Sequence, residues 1–283
     1  MSATSVREGG PALKGPFDFK DSPLSRATRQ PLLLGLFLNL QDINISTYPT
    51  GNSWTFDYNV DLVRRAEQLG PPLDAFVALG AMAAVTESIL LISTMHVLYG
   101  PLHPLRVAKY GATLDHIAKG RWGINVVTSP GTADIESALE TLPAHIASIR
   151  EAVTAKGRSV KILINPIIVS RDTPEEAWEY ANNTVKGIEV HTGTKKFGTA
   201  NGNYDSDAHA WRGRKDAKDK KGLNLGGNIE IIGSPEQVVE QLDALHKVGI
   251  DGVVANFYDF APDLEYFGSK ILPLIKEAGL RVD

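Results

Sequence analysis

Apolar residues in this chain gather in short dense runs separated by stretches with helical spacing. Ile89–Val97 (ILLISTMHV) and Arg121–Thr128 (RWGINVVT) are apolar at most positions, the pattern of strands covered on both faces. Between them Leu105, Ala108, Ala112 and Ile117 recur as the apolar positions of a helix that begins after Pro101 and Pro104. A strand–helix–strand unit of this kind predicts a parallel pair, because parallel strands need a crossover. Similar strand runs stand at Pro31–Asn39 (PLLLGLFLN), Lys161–Ser170 (KILINPIIVS) and Gly252–Phe257 (GVVANF).

Helical spacing fills most of the rest. Trp54–Leu69 carries Tyr58, Leu62, Arg65 and Leu69 on one face and stops at Gly70; Pro71–Glu87 reads as a second helix directly after it. Ile135, Leu139, Leu142, Ile146 and Ile149 share a face, with Pro143 expected to begin a new helix there. Thr173-Pro174-Glu175-Glu176 is a capping box with proline at the first helical position, opening a helix expected to end near Gly187. Ser234-Pro235-Glu236-Gln237 is a second box, and its helix runs to about Val248; a last helix covers Leu264–Ala278. The order is β-α-α-β-α-β-α-β-α-loop-α-β-α, an α/β chain with five parallel-type strands. It has more helices than such strands need: helix follows helix at Gly70-Pro71, and helical stretches again adjoin after Thr128.

Residues 1–30, polar and rich in Gly, Pro and Ser, form an N-terminal extension, read either as a disordered tail or as an arm on a neighbouring subunit. Residues 31–283 read as one domain. Within it, 188–228 is an insertion too long for a plain connection. Its YDSDAHAWR core, with Tyr204, Asp205, His209, Trp211 and Arg212, reads as a binding loop, and Lys215–Lys221 as a solvated tip.

Composition narrows the chemistry. With no cysteine, disulfides, thiolate catalysis and zinc–thiolate sites are excluded, and a reducing cytoplasm fits. A net charge of -4 with mixed signs argues against nucleic-acid or membrane-surface partners. No apolar run approaches membrane-spanning length. Chemistry in βα-built enzymes sits at strand carboxyl ends. Polar residues late in the strand runs are Asn39, Thr94, His96, Asn125 and Thr128, with Asn256 and Tyr258 following the last strand. The first expectation is therefore a parallel α/β enzyme with His96 and Asn125 facing a site. Trp54 and Tyr58 either line a pocket after the first strand or anchor the core. His103 and His116 have no partner at metal spacing, and Asp205-x-Asp207-x-His209 stands alone, so no metal is expected. No glycine-rich dinucleotide fingerprint follows a strand.

Three segments carry a family resemblance: TGNSWTFDYNVDLVRRAEQLG, PLDAFVALGAMAAVTESILLISTMHVLYGPLHPLRVAKYGATLDHIAKGRWGINVVT, and GGNIEIIGSPEQVVEQLDALHKVGIDGVVANFYDFAPDLEYFGSKILPLI. The chain resembles the bacterial luciferase-like flavin monooxygenases, nearest the two-component enzymes that attack sulfones, pyrimidine rings and other recalcitrant small molecules. The resemblance implies a (β/α)8 barrel with a lid insertion before the last strand, from which strands 2, 5 and 6 are absent at 70/71 and 128/129. It implies reduced FMN and O2 as reactants, and a separate flavin reductase as partner. The product would come from C–S, C–N or C–halogen cleavage of a small, fairly apolar substrate, in a homodimer or tetramer. Asn125 matches the family asparagine that bonds the flavin ring edge. His96 departs from the small polar residue, often threonine, of relatives; it supplies a proton, reshapes the pocket, or is a satisfied structural histidine. Asn39 and Thr128 border the cofactor, while Trp54, Tyr204, His209, Trp211 and Tyr258 face substrate or form the lid. The family's phosphate-holding residues fall in the absent segments. Two further readings remain: a deazaflavin-dependent hydride-transfer enzyme of the same superfamily, and a non-catalytic flavin-binding barrel.

Overall fold

The computed structural model describes residues 19–21, 23–37, 46–53, 55–69, 78–96, 104–127, 133–155, 157, 159–192, 225 and 229–282. Strands β1 (Leu33–Leu36), β8 (Gly252–Ala255) and β5 (Leu163–Ile164) form one parallel sheet with β8 central. β5 leads through Asn165 into β6 (Pro166–Ser170), which pairs in parallel with β7 (Ile229–Gly233). Leu163 stands opposite Gly252, Ile164 opposite Val253, and Ile167 opposite Asn256. The offset is constant, so β5 and β6 are one strand that leans first on β8 and then on β7. β4 (Ala133–Asp134) adds a short parallel rung to β7. Separately, β2 (Leu91–His96) and β3 (Trp122–Val127) pair in parallel along their whole length.

Alternation divides the β1–β8–β5/β6 sheet into two faces. Leu34, Leu36, Val253, Ala255, Phe257 and Ile168 share a large core with Val238, Leu242 and Leu245 of α7 (Pro235–Lys247) and Phe260 and Leu264 of α8 (Phe260–Tyr266). Full burial of each of the leucine, valine, isoleucine and phenylalanine side chains contributes roughly 1.5–3 kcal/mol. α8 continues through a π-turn (Phe267–Ile271) into α9 (Leu272–Glu277), so one helical segment begins four residues before the expected Leu264. No described helix is long and apolar enough to cross a membrane.

Both capping boxes form. Thr173 Oγ1 accepts from Glu176 N at 3.2 Å while Thr173 N donates to Glu176 Oε2 at 3.1 Å, opening α6 (Pro174–Thr192). Ser234 and Gln237 exchange the same pair at the start of α7. The crossover between β2 and β3 is α4 (Pro104–Ile117), but its apolar stripe is shifted from the expected one. Ala108, Ala112 and Ile117 are exposed, and Gly111, Leu114 and Ala118 are buried. The stripe turns there because the Trp122 ring lies against the helix at Gly111, where a Cβ would overlap it.

Other expectations change as well. α5 runs unbroken over Ile135–Thr154 with Pro143 inside it rather than at a new start. Pro143 is exposed, and Ile146 is buried with Ile135, Leu139 and Leu142 packed beside it. That packing offsets the ~3 kcal/mol an interior proline costs. α6 passes through Gly187 to Thr192. β7 is a strand the sequence pattern did not give. At the N-terminus α1 (Pro23–Ala27) is a short helix, and Gln30 bonds both Val282 O at 3.0 Å and Val282 N at 2.9 Å. The end of the extension is thus tied to its own chain's C-terminal segment. Helices α2 (Phe56–Leu69) and α3 (Ala78–Val85) follow the expected pair, with 70–77 outside the described residues.

Candidate functional site

The segment 46–53, downstream of β1, is fastened between α6 and the segment that leaves β8. Gly187 allows this on one side. A Cβ there would overlap Ser46 Oγ and meet Tyr48 N at 2.7 Å. Ser46 is buried, donates to Thr184 O at 2.8 Å, and accepts from Tyr48 N at 3.1 Å; Thr47 N donates to Gly187 O at 3.1 Å. The expected helix stop at Gly187 is therefore a close approach of two backbones.

Asn52 fastens the other side. Its Nδ2 donates to Tyr258 O at 2.8 Å, and its Oδ1 accepts from Phe260 N at 2.9 Å and from the Tyr58 hydroxyl at 3.1 Å. Gly51 N donates to Asp259 Oδ2 at 3.1 Å. One carboxamide thus joins the first-strand loop, the last-strand loop and α2. Of the two roles left open by the sequence, Tyr58 takes that of packing on the core, and its hydroxyl in addition holds Asn52.

Tyr258 is buried and donates its hydroxyl to Tyr48 O at 2.9 Å. Tyr48 and Tyr180 meet edge to face at 5.3 Å, and Tyr258 lies 6.2–6.3 Å from both. The Arg171 guanidinium stacks 3.8 Å over Tyr180 and donates to Asp263 Oδ1 at 3.0 Å. Burial pushes the Tyr180 and Tyr258 hydroxyls up from their ordinary values. They are donors at neutral pH, not bases.

Asp263 is 6% exposed and also accepts from Asp259 N at 3.2 Å, closing the start of α8. Burial pushes its carboxyl up to about 6 despite Arg171. Its folded pKa lies above the unfolded value, so between pH about 4 and 6 the folded state holds more protons than the unfolded one. Asp263's contribution to stability should therefore fall as pH rises through that window and stay level above it. Urea unfolding at pH 4, 5, 6 and 7 is expected to show this fall, and Asp263→Asn to flatten it; equal slopes in both proteins would refute it.

His96 ends β2, and Asn125 lies in β3 opposite Thr94, so the two strand ends singled out from sequence are adjacent parallel neighbours. Asn39, Trp54, Thr128, Tyr204, His209 and Trp211 lie outside the described residues. Sequence reasoning missed Asn52, Tyr48, Tyr180 and Arg171, which meet only through the fold. It also passed over Asn165, although a lone polar residue inside KILINPIIVS was a visible signal.

A family model described as luciferase-like monooxygenase matches residues 38–138 and 134–252, more than half of the chain. The FMNH(2)-dependent dimethylsulfone monooxygenase of Pseudomonas fluorescens (strain Pf0-1) is 31% identical over 144 residues, 50% of this chain but 39% of that protein. The chain thus matches well under half the length of that relative. The pyrimidine monooxygenase RutA of Agrobacterium fabrum (strain C58 / ATCC 33970) is 21% identical across 83% of this chain and 89% of its own. That alignment runs over 344 positions, more than the 283 residues of the whole chain, so it carries long internal gaps on this side. Among solved structures, a riboflavin lyase with modified FMN and riboflavin superposes with TM-score 0.64 at 14% identity, covering 89% of this chain and 92% of that one. The fold is shared.

Proposed function

The chain belongs to the luciferase-like monooxygenase family, and on that premise we propose that it acts on a small, fairly apolar molecule with reduced FMN and O2. The family match across both halves of the chain carries this reading. A separate NAD(P)H:flavin reductase would deliver the flavin, and the outcome would be C–S, C–N or C–halogen cleavage in a cytoplasmic homodimer or tetramer. When bound, reduced FMN supplies the electrons that activate O2. The chain's own task is to bind it, hold it still and keep water out.

The face around 46–53 and 256–260 suits that task. It is walled by tyrosines that stay protonated, and Asn256 Oδ1 is a buried acceptor without a partner among the described residues. A ring N–H would satisfy it. In this proposal Asn125 bonds the ring edge and His96 holds a proton beside it, with Asn39 and Thr128 bordering the cofactor. Trp54, Tyr258 and the lid residues Tyr204, His209 and Trp211, within insertion 188–228, enclose the substrate.

The architecture proposed is one (β/α)8 domain over 31–283, lacking strands 2, 5 and 6 in this sequence. Among the described residues β1 has a strand partner on one edge only, as do β2 and β3. In this proposal those open edges are where the three strands would stand. Protein isolated from its own source with an intact mass of 30.6 kDa would end this part of the proposal.

The functional test is anaerobic titration of the protein with reduced FMN, then mixing with oxygenated buffer in a stopped-flow spectrometer. Tight binding and an oxygen-dependent absorbance transient are expected. Asn125→Ala should weaken binding roughly tenfold, about one hydrogen bond. His96→Ala should keep binding and slow the oxygen-dependent phase roughly a hundredfold. Folded protein that does not bind reduced FMN would remove the reading.

A further inference from the structure

Three carboxamides outside the clasp bury an Oδ1 that has no hydrogen-bond partner among the described residues: Asn59, which stands alone on α2 and is tied to Thr55 O through its Nδ2, and Asn165 and Asn256, which lie on adjacent strands. A buried acceptor without a donor costs about 1–3 kcal/mol, so such groups are kept where something else satisfies them.

The placement of Asn165 and Asn256 is defined by the strand register. Asn256 follows β8 directly and stands opposite Ile167. Asn256 N donates to Pro166 O and its carbonyl accepts from Ile168 N, each at 2.9 Å, so both its backbone groups are tied to β6. Asn165 precedes Ile167 by two positions and, by the constant offset, faces Val254. Asn165 and Asn256 are therefore diagonal neighbours on one face of adjacent strands. It is the face opposite Val253, Ala255 and Ile168, which are packed into the core with α7 and α8, and it also carries Ile167 and Val169, which are buried with Ala177 and Ala181 of α6 beside the pair. Gly35, opposite Val254 on the other side, adds no side chain to that row. The strand end leads directly to Tyr258 and the Asn52 clasp. The pair thus lies next to the proposed flavin and substrate region, on rigid backbone.

The geometry points to Asn165 and Asn256 as a binding pair for a planar ring edge in which an N–H is flanked by carbonyls. A carboxamide presents an acceptor and a donor side by side, which complements such an edge. A sulfone carries acceptors only and would leave both oxygens unmet. Rejection of a ligand lacking the donor follows from leaving a buried group unpaired. Two molecules carry this chemistry: the pyrimidine end of the flavin itself, and a free cyclic imide or ureide as substrate. This inference rests on the proposed flavin-dependent function.

The test uses two probes on the whole protein, reduced FMN under anaerobic titration and uracil added to the FMN-bound form. Each is compared with its N-methylated analogue, 3-methyl-FMN and 1,3-dimethyluracil. Wild-type protein is expected to bind one N–H probe at least tenfold more tightly than its methylated partner. Asn256→Leu and Asn165→Leu are expected to abolish that preference. Discrimination within the flavin pair alone assigns the edge to the cofactor, and within the uracil pair alone to substrate. Equal binding of each methylated pair by wild-type protein, at unchanged thermal unfolding, overturns the inference and leaves a hydrated amide pair. Because that comparison needs no variant, it holds even where the leucine forms do not fold. Failure of wild-type protein to bind reduced FMN in either form instead removes the functional reading beneath it.

Discussion

Replacing Arg121 with alanine is expected to cost on the order of 4 kcal/mol of folding stability. The side chain is 5% exposed, and its guanidinium is spent on the ends of two helices. Nε donates to Ala118 O at 3.0 Å, just past the end of α4. Nη2 donates to Ala83 O at 3.2 Å and Thr86 O at 3.0 Å, at the end of α3, and Nη1 reaches Thr86 Oγ1 and Ile89 O, both at 3.0 Å. Helix C-termini leave carbonyls without intrahelical donors and carry the negative end of the helix dipole. One planar cation answers both needs for both helices, and holds the chain where it enters β2. Alanine would leave several buried carbonyls unmet. Lysine keeps the charge but offers one compact ammonium instead of a fork, so Arg121→Lys is expected to cost about half as much. Against a typical total of roughly 5–15 kcal/mol, the alanine form should unfold at a much lower urea concentration. A loss under about 1 kcal/mol would mean that water replaces the guanidinium.

How much of this molecule is legible in its sequence depends on the range of the contacts involved. The capping boxes at Thr173 and Ser234 are built within four residues, and both form as their spacing predicts. Burial of a strand on both faces leaves a dense apolar run, so β1, β2, β3, β5/β6 and β8 are visible. β7 (IEIIG) is short and adjoins a long polar stretch, which hides it. The α4 stripe is misplaced because Gly111 looks like a gap in an apolar face, whereas it is the point at which Trp122 packs. Pro143 looks like a boundary because the cost of an interior proline is local, while the packing that offsets it is not. The site follows the same rule. That the loops leaving the first and last strands lie at one end of the sheet follows from parallel topology. That Asn52 joins them does not, since it bonds Tyr258 across 206 residues. The family resemblance supplies cofactor and reaction class beyond what spacing gives, and the family match supports it independently.

Gly187→Ala is expected to act against helix propensity. In the interior of α6 alanine should gain roughly 0.5–1 kcal/mol over glycine. Here its Cβ would overlap Ser46 Oγ and stand 2.7 Å from Tyr48 N and 3.1 Å from Thr47 N, so the loop must move. Backbone atoms cannot turn aside as a flexible side-chain tip can. The net result should be a loss of about 1–3 kcal/mol, as in other overpacked sites. The effect on function should be larger than on stability. Displacing Tyr48 removes the acceptor of the Tyr258 hydroxyl and one edge of the Tyr48–Tyr180–Tyr258 cluster. A shift of about 1 Å in a positioning element can cost around a hundredfold in rate. The measurement is oxygen-dependent turnover with reduced FMN beside urea unfolding, for Gly187→Ala and for Ser46→Ala combined with it. Removing the Ser46 hydroxyl relieves the tightest overlap, so the double variant should recover part of what the single one loses, a coupling that independent sites would not show. A stabilised Gly187→Ala protein with unchanged turnover would mean that the loop does not rest on α6 as described, and that the clasp is not what positions Tyr258.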